Sequence, residues 1–296
     1  MAGDDDEYRF YLAVGAARKI VSQCRAHVES ATSKLSSRVE RAASATPHGR
    51  DLAAASDGDH SLAYRQRIAH VESMCNALLS HLRGLEVLLL HDTFYPLPAI
   101  PVVRSIAEVA ASCSWILDSN IGPDERAARA YASLFRSLET TISATLPADA
   151  AMATMLRESL IQELRGRGVR VVRRVRNEVQ TDEVSQVHVG RSQAKTNYQY
   201  SLRVATEIPL IAGTYSGMSG ITHGEYTHLS SSWDSPDTHA RLIGLVSQRS
   251  VEAWSRAVHT WVGVEPGPFI NPNDQKNLIR SMPRALLAEF GGTQAG

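Results

Sequence analysis

The 296-residue sequence lacks an excess of charge of either sign, because 31 Lys and Arg residues balance 31 Asp and Glu residues. Proteins that hold nucleic acid through bulk charge usually carry a basic excess. We therefore expect no binding of nucleic acid through the bulk charge of the protein. Any such ligand would need a local basic patch.

Cysteine is also scarce, with only Cys24, Cys75 and Cys113 in the whole chain. Their odd number and wide spacing exclude a disulfide framework and a zinc site. Each lies in an apolar helical pattern, so we expect three small buried residues in a reducing cytoplasm. A composition of 43% hydrophobic and 21% charged residues is typical of a soluble globular protein with a sizeable core.

Long hydrophobic runs are missing as well. No stretch approaches the roughly 18 consecutive apolar residues of a membrane helix. The acidic start "MAGDDDEYRF" has no apolar centre, so no signal peptide is expected. These absences predict a cytoplasmic protein without a membrane partner.

The motifs that identify nucleotide, metal and hydrolase sites are absent too. The sequence contains no phosphate-binding Gly-x-x-x-x-Gly-Lys-Ser/Thr loop, Cys-x-x-Cys, His-Glu-x-x-His or Gly-x-Ser-x-Gly. We therefore expect no metal and no cofactor. The sequence specifies a fold class better than an activity.

Helical periodicity dominates what is present. Apolar residues recur every three or four positions over 5–45 and 61–93, with a Gly/Asp/Pro-containing break at 46–60. Because the two helices are long and similarly patterned, an antiparallel hairpin is the simplest packing. Later helices are predicted at 101–118, 123–146, 148–166, 206–230, 237–262 and 274–290.

A Val-rich, partly alternating segment at 169–189 predicts two short strands, as in a hairpin. Five arginines at 167–176 are either a solvated strand face or a patch for an anionic ligand. The predicted fold is mainly α, a multi-helix bundle with a small β-hairpin insertion. We expect a single domain over 1–296, with the helical hairpin at 1–93, a core at 94–230 and C-terminal helices at 231–296.

Two charged pairs stand out in the predicted core. Arg104 and Glu108 are the only charges in "VVRSIAEVAASC" and lie near the stripe of Trp115. Such a pair is either a partly buried ion pair or the wall of a pocket. Glu125 and Arg126 open the next predicted helix, as a charged helix entry or as part of a ligand site.

The stretch "TYSGMSGITHGEY", residues 214–226, places Tyr215, Ser219 and His223 four residues apart, on one face of a helix. Glycines form a second stripe, which indicates close approach by another backbone or a flat ligand. Those glycines are Gly213, Gly217, Gly220 and Gly224.

Residues 95–230 resemble a group of uncharacterised actinobacterial proteins. They share an Arg-x-x-x-Glu helix with a Trp, followed by an acidic Glu-Arg helix entry and a Tyr-x-x-x-Ser-x-x-x-His-Gly block. The resemblance implies a helical protein similar to HEPN-like and abortive-infection proteins, which include ribonucleases, toxins, defence effectors and binding proteins. The HEPN motif Arg-x(4–6)-His fits Arg65…His70 and Arg41…His48, whereas His223 has no arginine at that distance upstream.

Three functions remain open. In the first, the protein binds a nucleotide or RNA-like ligand through Arg104, Glu108, Arg126 and the Tyr215 face. In the second, it is a biosynthetic tailoring enzyme or cyclase, where His223 or Glu108 moves protons and Tyr215 orients a small molecule. In the third, it is a non-catalytic helical interaction module, and a homo-oligomer is left open. The first two predict that Arg104, Glu108, Tyr215 and His223 converge.

Overall fold

The computed structural model describes residues 2–56, 61–90, 96–144, 146–222 and 236–280. It is 76% helical, with eleven α-helices and one three-stranded antiparallel sheet in the described ranges. The predicted mainly α bundle with a small β insertion is therefore confirmed.

The first seven helices precede the sheet and the last four follow it. They are α1 (Ala2–Ser33), α2 (Leu35–Glu40), α3 (Pro47–Ser56), α4 (Ser61–Leu90), α5 (Pro96–Ile116), α6 (Pro123–Ala144), α7 (Pro147–Arg165), α8 (Tyr200–Glu207), α9 (Ala212–Thr222), α10 (Pro236–Val262) and α11 (Pro272–Ile279). The strands are β1 (Arg170–Arg176), β2 (Val179–Val189) and β3 (Ser192–Lys195).

The two long N-terminal helices pack against each other, but the first is shorter than predicted. It ends at Ser33, and the predicted break at 46–60 contains helix α3. Thr46 caps α3, because its hydroxyl accepts a hydrogen bond from the Gly49 N–H at 2.9 Å. Pro47 takes the next position, where a missing N–H costs nothing.

Helix α5 begins at Pro96, five residues before the predicted start. Two of its prolines lie in the first turn, where the backbone N–H groups have no helical partner. Pro101 lies inside the helix, so the expectation that helix starts there was wrong. Residues 97–116 of α5 are long and apolar enough to span a membrane by length and composition, and 61% of that window is buried within the protein.

The β insertion has three strands rather than two, in the order β1-β2-β3. Arg170 pairs with His188 at one end of the first hairpin and Arg176 with Val179 at the other. The turn residues Asn177 and Glu178 both have positive φ, at 48° and 65°. Such turns match the twist of the strands they connect.

The predicted helix at 206–230 is divided. Helix α8 ends at Glu207, a 3-10 turn covers Pro209–Ile211, and α9 starts at Ala212. Pro209 cannot donate a backbone hydrogen bond, which interrupts the helix there. The remainder of this prediction, 223–230, lies outside the described residues, as does 281–290 of the last predicted helix.

Buried side chains form two hydrophobic clusters. The larger one joins α1, α4, α5, α8, α9 and α10, and the smaller one joins α6, α7 and the sheet. Trp115 of α5 packs against both. The three cysteines are free and fully buried in the larger cluster, as predicted for small apolar residues.

Gly244 is the close-contact point between α10 and α1. A Cβ atom there would lie 3.1 Å from Ala17 Cα and 2.9 Å from Leu278 Cδ1. Alanine gains up to about 1 kcal/mol of helix propensity but overpacks the contact, which typically costs about 1–3 kcal/mol. We expect Gly244→Ala to lower the free energy of unfolding by about 1 kcal/mol, measured by urea denaturation.

Gly84→Ala is the matched control. Gly84 is exposed on α4, and nothing lies within 4 Å of an added Cβ. We expect it to stabilise the protein by about 0.5–1 kcal/mol. Equal shifts of the same sign for both variants would contradict the close contact at Gly244.

Candidate functional site

Packing of α9 against α5 brings three of the predicted site residues together. Glu108 Oε1 accepts hydrogen bonds from Arg104 Nε at 2.8 Å and from the Tyr215 hydroxyl at 2.6 Å. The guanidinium carbon of Arg104 lies 5.6 Å from the centre of the Tyr215 ring. Arg104 and Glu108 are one turn apart, whereas Tyr215 follows 107 residues after Glu108, so tertiary packing creates the cluster.

The electrostatics of this cluster keep Tyr215 protonated. Burial, with the adjacent Glu108 carboxylate, raises the pKa of Tyr215 to about 12. Burial alone would lower the pKa of Arg104, but its hydrogen bond with Tyr215 and the charge of Glu108 outweigh this and raise it. At neutral pH, Tyr215 is therefore a hydrogen-bond donor and Arg104 a cation.

Glu108 also lines a surface groove of about 400 Å³, which we call the α4–α6 groove. Its walls are α4, α5, α6 and the segment that enters α8. This volume is within the range of small-molecule sites. The side chains around it are mostly polar: His70, His81, Ser105, Glu108, Ser112, Ser133, Ser137, Thr140, Thr141, Tyr198 and Tyr200.

Two histidines from α4 line the groove. His70 Nε2 lies 3.0 Å from Ser133 Oγ, which joins α4 to α6. Burial lowers the pKa of both His70 and His81, so both rings are neutral at physiological pH. A neutral imidazole can accept a proton or a hydrogen bond from a ligand.

Hydroxyl groups in the groove offer acceptor lone pairs. The Ser105 hydroxyl donates to the Pro101 carbonyl at 3.0 Å, and the Thr140 hydroxyl donates to the Arg136 carbonyl at 2.9 Å. Because a hydroxyl has one proton and two lone pairs, these groups can still accept but no longer donate. With the Glu108 carboxylate nearby, the groove favours ligands that carry N–H or O–H donors.

Trp115 lies in a stack of arginines and aromatic rings. The guanidinium carbons of Arg129 and Arg203 lie 5.0 and 3.8 Å from the centre of its ring. Arg203 also lies 3.2 Å from the ring centre of Tyr198, which Arg136 contacts at 5.7 Å. The Trp115 ring is thus already in contact with two arginines of the protein. This geometry gives no support to direct ligand binding by Trp115.

Arg126 is separated from a ligand by complete burial. Its five N–H groups bind the Asp51 carboxylate and the carbonyls of Asp118, Ile121 and Pro47. An arginine has only five such donors, so none remains for a ligand. Arg126 therefore has a structural role, and its geometry gives no support to the expectation that it binds substrate.

Asp51 is the centre of this buried cluster, and sequence reasoning missed it. It accepts hydrogen bonds from Arg126 at 2.8 Å and from Trp261 Nε1 at 2.9 Å, and its Oδ2 lies 3.2 Å from Arg67. His48 packs edge-on against Trp261 at 4.7 Å between ring centres. The cluster connects α3, α4, α6 and α10.

The rest of the Tyr215 face is only partly described. Ser219 is one turn beyond Tyr215 and half-buried. His223 lies outside the described residues, so its place at the site remains a prediction. Gly220 is buried but Gly213 is exposed. The prediction that another backbone or a ligand packs along the whole glycine stripe therefore does not hold at Gly213.

The arginine run at 167–176 is largely paired on the sheet and α7. Four of its five members approach carboxylates, and the fifth, Arg170, lies 3.0 Å from His188. The run is thus a paired strand face and not an open basic patch. The carboxylate pairs are Arg167–Glu163, Arg173–Glu158, Arg174–Glu183 and Arg176–Glu183.

The two stretches with HEPN-like spacing have different environments. Arg65 is exposed on α4, while His70 reaches the groove and Ser133. Arg41, just after α2, donates a hydrogen bond to the Ser37 carbonyl of that helix, and His48 is buried. Neither stretch brings an arginine and a histidine together in an open site.

Most groove residues escaped sequence reasoning because each is unremarkable alone. Tyr198 and Tyr200 form an alternating aromatic pair after the sheet, and Ser133, Ser137 and Thr140 recur along one side of α6. These spacings were available signals. Only the packing of α4, α5 and α6 shows that they share one groove.

Comparisons with known proteins add no assignment. No protein-family model, curated protein or solved structure matched this chain.

Proposed function

We propose that this protein binds a small nucleoside-like ligand in the α4–α6 groove, as a HEPN-like helical protein of a bacterial stress, toxin or defence system. The observation that carries the proposal is the fixed carboxylate of Glu108 at the groove wall. Both of its hydrogen bonds with described residues use Oε1, which leaves Oε2 for a ligand N–H or O–H.

Several features of the groove support a nucleoside-like ligand. Acceptor hydroxyls and two neutral histidines surround Glu108 and suit the donors of a base and a ribose. Tyr198 and Tyr200 add aromatic rings to the lining of the same groove. Pairing of the arginines at 167–176 favours a small ligand over an RNA backbone, which is held mainly by unpaired cations.

Acid–base catalysis, as in a biosynthetic tailoring enzyme or cyclase, is the second candidate function. It is favoured by the short contact of 2.6 Å between Glu108 and the protonated Tyr215, together with neutral His70 in the same groove. A carboxylate, a phenol and an imidazole are groups that transfer protons to a bound substrate. A non-catalytic interaction module makes no use of this arrangement.

Calorimetric titration with adenosine, guanosine, cytidine and uridine tests ligand binding directly. We expect saturable binding of at least one nucleoside. Glu108→Gln should weaken it about 10- to 100-fold, because a hydrogen bond to a charged group contributes about 1.5–3 kcal/mol. Tyr215→Phe should weaken it less, since it removes only the group that orients Glu108.

Glu252→Gln is the matched control. Glu252 also binds an arginine and a second donor on its own helix, at 2.8 and 2.7 Å, with side-chain exposure similar to that of Glu108. It lies at a different cavity, so nucleoside affinity should be unchanged. Absence of binding by all four nucleosides, or equal affinity of Glu108→Gln and wild type, would refute the proposed function.

A further inference from the structure

Arg136 of α6 is a cation beside the α4–α6 groove that lacks a counterion among the described residues. Within those residues its guanidinium makes no ion pair and no hydrogen bond, and its Nε is buried without an acceptor. Its guanidinium carbon lies 5.7 Å from the ring centre of Tyr198, a groove residue, and its charge also acts on Tyr200. Buried polar groups are normally hydrogen-bonded, so this guanidinium can take an acceptor that the described residues do not supply.

Nearby charges strengthen the need for an anion. Arg203 lies over the same Tyr198 ring at 3.2 Å, which places two guanidinium groups around one aromatic side chain. Glu139, the nearest carboxylate along α6, is committed to Arg157 and to the backbone N–H of Val184. Arg136 thus places a positive charge on the α6 side of the groove, whereas the α5 side carries Glu108.

Groove residues flank Arg136 on its own helix. Ser133 and Ser137 line the groove one turn before Arg136 and one residue after it, and Thr140 lines it one turn later. Arg136 is not itself one of the lining residues, but its guanidinium lies beside the groove, against the lining residue Tyr198. A groove with a carboxylate on one wall and a cation on another matches a ligand with donors at one end and an anion at the other.

We infer that Arg136 forms an anion subsite that holds the phosphate of a nucleoside monophosphate, with the base or ribose toward Glu108. This inference rests on the proposed function and adds the phosphate to it. A guanidinium binds phosphate oxygens through paired N–H donors. The groove volume of about 400 Å³ accommodates one mononucleotide.

The test compares affinities for the tightest-binding nucleoside, its 5′-monophosphate and inorganic phosphate, measured by calorimetric titration. Wild type should bind the monophosphate at least tenfold more tightly than the nucleoside. Arg136→Gln should abolish that preference and leave nucleoside affinity unchanged. Arg136→Lys, which keeps the charge without the planar fork, should retain part of it.

Arg191→Gln is the matched control, because Arg191 is an exposed arginine far from the groove. Its neighbour Gly190 lies against Asp124, at the start of α6. Twelve residues of helix, about 18 Å, separate Asp124 from Arg136. The control should keep the phosphate preference.

Nucleoside binding without any gain from phosphate in wild type would overturn the anion subsite alone, and so would an unchanged preference in both Arg136 variants. Failure of nucleoside and monophosphate alike would overturn the proposed function as well.

Discussion

Replacement of Asp51 by alanine is expected to lower the free energy of unfolding by about 3–5 kcal/mol, the usual cost of removing one partner from a buried ion pair. Domains of this kind have only about 5–15 kcal/mol in total. The variant should therefore be partly unfolded under mild denaturing conditions. Urea denaturation followed by far-ultraviolet circular dichroism measures the change.

The physical reason is that one carboxylate serves several buried donors. Asp51 is 2% exposed and binds Arg126, which is 0% exposed, through both Nε and Nη2. It also receives the indole N–H of Trp261. Alanine removes these acceptors and leaves the Arg126 charge buried without its counterion, while Trp261 loses its hydrogen bond.

Two further variants separate this explanation from a general loss of packing. Asp51→Asn keeps the side-chain volume and removes the charge, so it should destabilise nearly as much as alanine. Asp182→Ala removes a carboxylate that pairs with Arg173 but is 84% exposed, and it should change stability by less than about 1 kcal/mol. A loss below 1 kcal/mol for Asp51→Ala would show that the cluster is not required for the fold.

Acidification from pH 7 to pH 4.5 is expected to destabilise the protein through its buried histidines. Burial, together with the charges of His259 and Arg38, lowers the pKa of His27 to about 4. Burial also lowers the pKa values of His48, His70 and His259. The denaturation midpoint in urea, measured at several pH values, should therefore fall steadily.

The direction follows from where protons bind. Below about pH 6.5 an unfolded chain protonates these histidines, whereas the folded chain keeps His27 neutral until about pH 4. Stability is thus fully present above pH 6.5 and is lost between pH 6.5 and pH 4. His27 is only partly buried, so after allowance for solvent screening its share is about 1–2 kcal/mol.

His27→Phe isolates that share. The ring of His27 stacks on Phe269 at 4.1 Å between centres, and phenylalanine preserves this stacking without a titrating group. The variant loses the hydrogen bond to Ser255 and is less stable at pH 7, but its stability should depend less on pH than that of wild type. His188→Gln, on the sheet surface, should leave the pH dependence nearly unchanged. An identical slope in His27→Phe and wild type would contradict the assignment.

Prediction of the candidate site from the sequence depended on how far apart its members lie. Arg104 and Glu108 are one turn apart in an apolar segment, so their pairing was a local inference, and the structure shows them bonded. Tyr215 was chosen for its four-residue spacing to Ser219, and in the structure its hydroxyl donates a hydrogen bond to Glu108. Arg126 was grouped with them by charge alone, and burial against Asp51 places it elsewhere.

The groove could not be predicted in the same way. Its residues come from α4, α5, α6 and the start of α8, and none forms a motif with its sequence neighbours. Nothing in the sequence distinguishes Arg136 from the other arginines of its helix. That it lacks a counterion in the described part of the chain is evident only when the partners of Glu139 are known.

Apolar periodicity alone determined the helical class, most helix positions and the burial of the cysteines. Residues three or four apart lie on the same face of a helix, so the buried face can be identified from neighbouring residues in the sequence. Prolines were the exception, because treating Pro96 and Pro98 as helix breakers delayed the predicted start to Pro101, whereas the helix begins at Pro96. Tertiary structure alone decided which polar side chains meet. Those pairings depend on the angle and register at which distant helices pack, as when α3 delivers Asp51 to Arg126 and α9 delivers Tyr215 to Glu108.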